Sequence, residues 1–98
     1  MAELQHVAIV GATGVVGQAI LSILTERNFP VEKLSLLASE RSAGGKIDFK
    51  GEPVVIESLA DFDFSGVDVA FFSAGSEASK KYAPIAAAAG VFVVDNTS

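Results

Sequence analysis

Short apolar runs alternate along the chain with longer segments in which apolar residues recur at helical spacing. The runs cover residues 7–10, 33–38, 67–72 and 91–94. Runs of this length, bounded by glycine or polar residues, are typical of buried strands. Because a helical segment separates the first run from the second, these two strands should be parallel neighbours in a right-handed β-α-β unit. The pattern therefore predicts an α/β domain with a mostly parallel sheet.

Two helices are predicted between the strands. The first covers residues 14–27 and ends before Asn28 and Pro30, because proline cannot continue a helix. The second follows the third run, carries Pro84 either near its first turn or at a kink, and closes at Gly90. The expected buried stripe of the first helix consists of Val16, Ile20, Ile23 and Leu24.

A small β-hairpin is predicted between the second and third of these strands. Apolar segments at residues 47–49 and 54–56 flank a stretch that contains glycine and proline. A short helical turn is expected over residues 58–66. We therefore expect residues 1–98 to form one domain, with four main strands, the hairpin as an insertion, and helices on both faces of the sheet.

Three glycines, Gly11, Gly14 and Gly17, follow the first strand directly. In a dinucleotide cradle the first permits a sharp turn, the second a close approach of backbone to pyrophosphate, and the third tight packing of helix on sheet. A packing turn is the structural alternative, but the position between a strand and a helix favours a Rossmann-like three-layer domain. The backbone N–H groups that would stabilise the pyrophosphate at the helix terminus are those of Thr13, Gly14, Val15 and Val16.

The loop after the second strand selects the cofactor in such a fold. A 2′-phosphate requires a cation and hydroxyl donors, which Arg41, Ser39 and Ser42 offer. NAD instead requires an acidic residue that accepts from the ribose 2′-hydroxyl, a role that remains open to Glu40. We expect NADP, and a solvated pair of loop charges is the structural alternative.

Two further strand ends place small polar residues at what should be the same edge of the sheet. They are Ser73, Ala74, Gly75 and Ser76 after the third main strand, and Asp95, Asn96, Thr97 and Ser98 after the fourth. Ligands bind at the carboxyl ends of parallel strands, so these residues are candidate cofactor contacts. The alternatives are that Ser76 or Ser79 only caps the second helix and that Asp95 only forms a turn.

The remaining polar residues give little indication of a functional site. His6 is the single histidine and has no partner ligands, so we expect neither a metal site nor a catalytic role for it. Tyr82, Lys80 and Lys81 invite an acid/base interpretation, but solvated helix positions are the commoner outcome. No catalytic residue is assigned within the chain.

Composition narrows the class of protein. Half of the 98 residues are hydrophobic, which suffices for a core. The net charge is −5 with the acids scattered, and no basic stripe indicates a nucleic-acid partner. There is no cysteine, hence no disulfide or thiol nucleophile. No apolar stretch approaches the roughly 20 residues that span a bilayer, so we expect a cytoplasmic protein without a membrane partner.

Five short sequence blocks follow one another along the chain: residues 11–17 (GATGVVG), 38–44 (ASERSAG), 71–75 (FFSAG), 79–84 (SKKYAP) and 94–98 (VDNTS). They resemble the amino-terminal NADP-binding segment of the aspartate-β-semialdehyde dehydrogenase family. The blocks extend over essentially the whole chain, which makes the resemblance more specific than the glycines alone.

The resemblance implies an NADP-dependent dehydrogenase that reduces β-aspartyl phosphate to aspartate β-semialdehyde in lysine, methionine and threonine biosynthesis. It implies pyrophosphate contacts at residues 13–16, a 2′-phosphate contact at Arg41 and Ser42, a cofactor border at residues 73–75, and a nicotinamide contact at Asn96. The family's cysteine nucleophile and histidine acid/base would lie beyond the last residue. We therefore expect the amino-terminal part of a two-domain enzyme, inactive by itself and, at full length, a homodimer or homotetramer.

Two alternative functions remain open. The first is the corresponding domain of N-acetyl-γ-glutamyl-phosphate reductase, although the FFSAG and DNTS blocks fit the aspartate enzyme better. The second is a non-catalytic nucleotide-binding or interaction module derived from the dehydrogenase. An extended short-chain dehydrogenase is disfavoured, since Tyr82 is followed four residues later by Ala86 instead of lysine.

Overall fold

The computed structural model describes residues 5–27, 30–73 and 75–95, which form strands and helices in alternating order. The strands and helices are β1 (Gln5–Val10), α1 (Val15–Glu26), β2 (Val31–Ala38), β3 (Lys46–Phe49), β4 (Glu52–Ser58), a 3-10 turn (Leu59–Asp61), β5 (Val69–Phe72), α2 (Ser76–Ala88) and β6 (Phe92–Asp95). Each predicted strand and helix is present, with ends that shift by a few residues. The expected Rossmann-like α/β class is confirmed.

The six strands form one sheet in the order β3-β4-β2-β1-β5-β6. β1 pairs in parallel with both β2 and β5, and β5 pairs in parallel with β6. The hairpin is confirmed as the antiparallel pair β3–β4. Its second strand also pairs in parallel with β2, through Leu36–Ala38 opposite Ile56–Ser58. The hairpin therefore extends the main sheet and delivers Ser58 to the edge where β1, β2 and β5 end.

The core lies in two layers, one on each face of the sheet. Val7 and Ile9 of β1 pack with Leu21 and Leu24 of α1 on one face. Ala8 and Val10 belong to the opposite layer with Phe72. Successive strand residues point to opposite faces, so a strand covered on both sides needs an uninterrupted apolar run. This requirement explains why all of residues 7–10 are apolar and fully buried.

The buried stripe of α1 differs in part from the prediction. Ile20 and Leu24 are buried as expected, but Val16 and Ile23 are 45% and 52% exposed, and Leu21 is buried instead. Gly17 is buried because the helix approaches the loop after β1 at that position. The contact rotates the helix so that the stripe follows residues 17, 20, 21 and 24.

The remaining points concern Pro84 in α2, the β6 edge of the sheet, membrane-spanning helices and the end of α1. Pro84 lies in the interior of α2, so of the two alternatives the first-turn position is excluded. β6 is an edge strand within the described residues, and Phe92 on it is 69% exposed. No helix in the described part of the chain is long and apolar enough to cross a membrane. Asn28, the expected helix stop, lies outside the described residues.

Candidate dinucleotide site

The loop between β1 and α1 is held by backbone hydrogen bonds. Gly11 has a φ of +89°, which lets the chain turn directly off the strand. The N–H groups of Gly11 and Ala12 donate to the Leu37 carbonyl oxygen at 2.8 and 3.1 Å. The N–H of Gly14 donates to the Gly11 carbonyl oxygen at 3.1 Å. The loop is therefore fixed against β2, as a preorganised cradle requires.

The amino terminus of α1 is open to an anion. Gly14 is the N-cap, no side chain caps the helix, and no acidic residue lies in the first turn. The first bond of the helical pattern runs from the N–H of Gln18 to the Gly14 carbonyl oxygen at 3.0 Å. The N–H groups of Val15, Val16 and Gly17 precede that bond and lie at the positive end of the helix dipole.

A cavity of about 460 Å³ lies in front of the carboxyl ends of β1, β2, β4 and β5. It is lined by Gly11, Thr13, Gly14, Ala38, Ser39, Glu40, Ser58, Leu59, Ala60, Ser73, Ala78 and Tyr82. Four strand ends and one face of α2 thus form a single recess, which is the place where open parallel sheets bind ligands.

The structure brings some of the predicted cofactor contacts together and leaves others apart. Gly11, Thr13, Gly14, Ser39 and Ser73 line the cavity. Five others lie within two residues of a lining residue in the chain but are not part of the wall: Val15, Val16, Arg41, Ser42 and Gly75. Ala74 and Asn96 lie outside the described residues.

The wall opposite the glycine loop was missed by sequence reasoning. It consists of Ser58, Leu59 and Ala60 after β4, with Ala78 and Tyr82 from α2. The signal was the apolar segment at residues 54–56, which would have indicated this wall if it had been interpreted as a parallel strand next to β2. A hairpin signature gives the partner within the hairpin but not the strand on the other side.

Ser58 carries an unusual hydroxyl. Its Oγ is buried and, among the described residues, has no hydrogen-bond partner. Leu59 and Ala78 are apolar neighbours in the cavity wall, and the Tyr82 ring is held with the Lys81 Nζ 5.2 Å from its centroid. A buried hydroxyl without a hydrogen-bond partner is energetically costly. A planar heteroaromatic ligand would pack against the apolar side chains of this wall, and its polar edge would give the hydroxyl a partner.

Ser73 ties the end of β5 to β1. Its N–H and its Oγ both donate to the Val10 carbonyl oxygen, at 2.9 and 3.0 Å. Helix α2 then begins at Ser76 with Gly75 as its N-cap and no side-chain cap. The alternative in which Ser76 or Ser79 is the N-cap residue of α2 is therefore excluded. The Ser79 hydroxyl instead donates to the Asp95 carboxylate, which joins α2 to the end of β6.

His6 lies at the opposite edge of the sheet, near the start of β1. Its Nε2 shares a hydrogen bond of 2.7 Å with the Oγ of the buried Ser35, and its backbone N–H donates to Asp68 Oδ2 at 2.8 Å. Burial, reinforced by the Lys33 cation, lowers the pKa of the imidazole below 6.5. These two contacts join the start of β1 to Ser35 of β2 and to Asp68, which directly precedes β5. No cluster of three potential metal ligands occurs in the described residues.

The glycine loop, the open helix terminus and the cavity at four strand ends define a dinucleotide-binding α/β domain. Residues 6–98 match the family model described as "Semialdehyde dehydrogenase, NAD binding domain", and the chain belongs to this family.

The chain is also similar in sequence to individual aspartate-semialdehyde dehydrogenases. The chain is 55% identical over 98 residues to aspartate-semialdehyde dehydrogenase 2 of Vibrio cholerae, covering all of this chain and 29% of that protein. It is 50% identical over 93 residues to the Bacillus subtilis aspartate-semialdehyde dehydrogenase, covering 95% of this chain and 27% of that protein. The chain thus spans less than a third of the length of these relatives.

Two solved structures share the fold. One is Vibrio cholerae aspartate semialdehyde dehydrogenase II complexed with ASA, with a TM-score of 0.94, 56% identity, and coverage of 97% of this chain and 31% of that chain. The other is the Candida albicans enzyme with NADP, with a TM-score of 0.79, 25% identity, and coverage of 97% and 30%.

Proposed function

We propose that this chain is the amino-terminal domain of a two-domain aspartate-β-semialdehyde dehydrogenase and that it binds NADP in the cavity. The observation that carries the proposal is the recess at the ends of β1, β2, β4 and β5, with the open terminus of α1 on its rim. The pyrophosphate lies on the loop and first turn of the helix, where no side chain competes for the N–H groups. The N–H donors are those of Thr13, Val15 and Val16; the Gly14 N–H already donates to the Gly11 carbonyl oxygen, so Gly14 contributes its close backbone approach to the pyrophosphate instead.

The 2′-phosphate is held by the loop after β2. Ser39 lines the cavity, and Arg41 and Ser42 follow in the same turn. Arg41 is exposed and, among the described residues, forms no ion pair, so its guanidinium is available to a phosphate. A guanidinium and neighbouring hydroxyls are the donors that a phosphate monoester prefers. This arrangement supports NADP as the cofactor.

The remaining parts of the cofactor occupy the two sides of the recess. The adenine lies against Leu59, Ala78 and Tyr82, where its polar edge gives the Ser58 hydroxyl a partner. The nicotinamide half extends past Ser73 and Gly75, and we propose that Ala74 and Asn96 complete that side. When bound, the cofactor supplies a hydride. The chain's own residues bind and orient it.

The whole protein, in this proposal, reduces β-aspartyl phosphate to aspartate β-semialdehyde with NADPH. The relatives named above are aspartate-semialdehyde dehydrogenases, which favours this substrate over N-acetyl-γ-glutamyl phosphate. The chain contains no cysteine, so the thiol that forms the acyl intermediate is supplied from elsewhere in the longer protein. We propose a cytoplasmic homodimer or homotetramer, and no turnover by the 98 residues alone.

The test is calorimetric titration of the full chain with NADP and NAD, for the wild type, Arg41→Ala and Arg27→Ala. Arg27 is the matched control, because it is an exposed arginine at the far end of α1. We expect Arg41→Ala to weaken NADP binding at least about tenfold and to leave NAD binding unchanged, because a charged pair with phosphate is lost. Arg27→Ala should bind both cofactors as the wild type does.

Two results would contradict the proposal at different levels. Equal NADP affinity in Arg41→Ala and wild type would show that Arg41 does not bind the 2′-phosphate. A folded wild-type chain that binds neither cofactor would refute the assignment of the cavity itself.

A further inference from the structure

Glu40 and Arg41 are chain neighbours in the loop after β2, and only Glu40 is part of the cavity wall. Ser39 also lines the cavity. The Ser39 carbonyl oxygen accepts hydrogen bonds from the backbone N–H groups of Ser42 and Ala43, with N···O distances of 3.0 and 3.1 Å. The loop is therefore a helical turn. Successive residues on such a turn are rotated by about 100°. The Glu40 and Arg41 side chains therefore leave the turn in different directions.

Hydrogen bonds to β4 fix the far end of this turn. The Gly44 N–H donates to the Ile56 carbonyl oxygen at 2.8 Å, and the Ile56 N–H donates to the Gly45 carbonyl oxygen at 2.7 Å. Ile56 is itself buried in the core. The position of Glu40 on the cavity side is thus set by backbone contacts with the sheet.

From this arrangement we propose that Glu40 is a cofactor-selecting residue whose carboxylate accepts a hydrogen bond from the ribose 2′-hydroxyl of NAD. The cavity then admits NAD as well as NADP. Within the described residues the Glu40 side chain has no hydrogen-bond or ion-pair partner, so it is available to the ribose. Arg41 reaches over the rim to a 2′-phosphate, and Glu40 opposes that phosphate by charge repulsion. This inference rests on the proposed cofactor function of the same cavity.

The experiment compares NAD and NADP dissociation constants, measured by calorimetry on the full chain, for the wild type, Glu40→Gln and Glu52→Gln. Glutamine keeps the size of the side chain and removes its charge. We expect Glu40→Gln to tighten NADP binding about tenfold, because one repulsive charge beside the phosphate is gone. We expect NAD binding to weaken by about the same factor, because a charge-assisted acceptor is lost. Glu52, an exposed carboxylate at the tip of the hairpin, is the matched control and should change neither value.

The outcomes separate this inference from the proposed function. If the wild type binds NADP and Glu40→Gln leaves both dissociation constants within about twofold, the role of Glu40 is overturned while the cofactor site stands. If the wild type binds NADP but no NAD, dual use of the cavity is overturned. If a folded wild type binds neither, the proposed function fails and the inference fails with it.

Discussion

Gly17 approaches the carbonyl oxygen of Gly11 so closely that a Cβ atom on Gly17 would stand 2.3 Å from it. The same atom would be 2.9 Å from the Ala12 Cα. Both neighbours are backbone atoms that cannot move aside without displacing the loop. The contact therefore sets how closely the first turn of α1 packs on the end of β1, and with it the position of the glycine loop that we propose binds the pyrophosphate.

Gly17→Ala tests this contact. We expect the substitution to lower the free energy of unfolding by about 1–3 kcal/mol, because the helix must move away from the loop. Thermal or urea unfolding measures the loss. Gly14→Ala is the matched control, since a Cβ there would meet the Gly11 carbonyl oxygen at an ordinary 3.5 Å and its φ of −79° suits any residue.

Gly14→Ala should instead affect the ligand. Gly14 lines the cavity, so an added methyl group occupies space that the pyrophosphate approaches. We expect near-normal stability and NADP binding weaker by about tenfold in calorimetry. Equal stability of the two alanine variants would contradict the role assigned to Gly17.

Ser58→Ala distinguishes a ligand contact from a folding contact. The Ser58 Oγ is buried without a partner in the described structure, so its removal should leave the melting temperature unchanged or slightly raised. Binding of NADP should weaken by roughly threefold to tenfold if the adenine uses this hydroxyl. A variant that is less stable but binds NADP normally would show that the hydroxyl serves the fold.

The His6 imidazole should give the domain a pH-dependent stability. Burial and the Lys33 cation lower its pKa, against smaller raising effects of a hydrogen bond with the Gly66 backbone and of the Asp68 and Glu57 carboxylates. The unfolded chain therefore binds the proton more readily than the folded one. Stability is complete above the unfolded pKa of 6.5 and is lost as the pH falls through 6.5 toward the lower folded value.

The single histidine makes this measurable by proton NMR. We expect its titration midpoint to lie below 6.5. We also expect the melting temperature of the wild type to fall between pH 7.5 and 5.5, and His6→Gln to show a smaller change over that range. A midpoint at or above 6.5 would contradict the burial argument.

Ser79→Ala removes the link between α2 and β6. Ser79 is buried, and its hydroxyl donates to a carboxylate, so we expect a loss of about 1–3 kcal/mol in the free energy of unfolding. Ser22→Ala, on the exposed face of α1, is the control because it shares the gain in helix propensity without losing such a bond. Equal stability of the two variants in urea unfolding would show that the link contributes nothing.

The sequence by itself determined the succession of strands and helices, the parallel neighbours β1 and β2, and the glycine loop between β1 and α1. These features depend on local periodicity and on the conformational range of glycine, both of which a single chain segment carries. The choice of Ile20 and Leu24 as core residues follows from the same periodicity.

Only the tertiary structure decided which side chains face the cavity. The stripe of α1 follows Leu21 in place of Ile23 because Gly17 contacts the loop and fixes the helix rotation. Ser58 reaches the recess because β4 pairs with β2, a contact between segments distant in sequence. Tyr82 reaches it from α2, which packs on the face of the sheet that carries Phe72. Glu40 lies on the wall and Arg41 outside it because hydrogen bonds to Ile56 orient the loop. Side-chain direction at these positions depends on long-range backbone contacts, which no local pattern encodes.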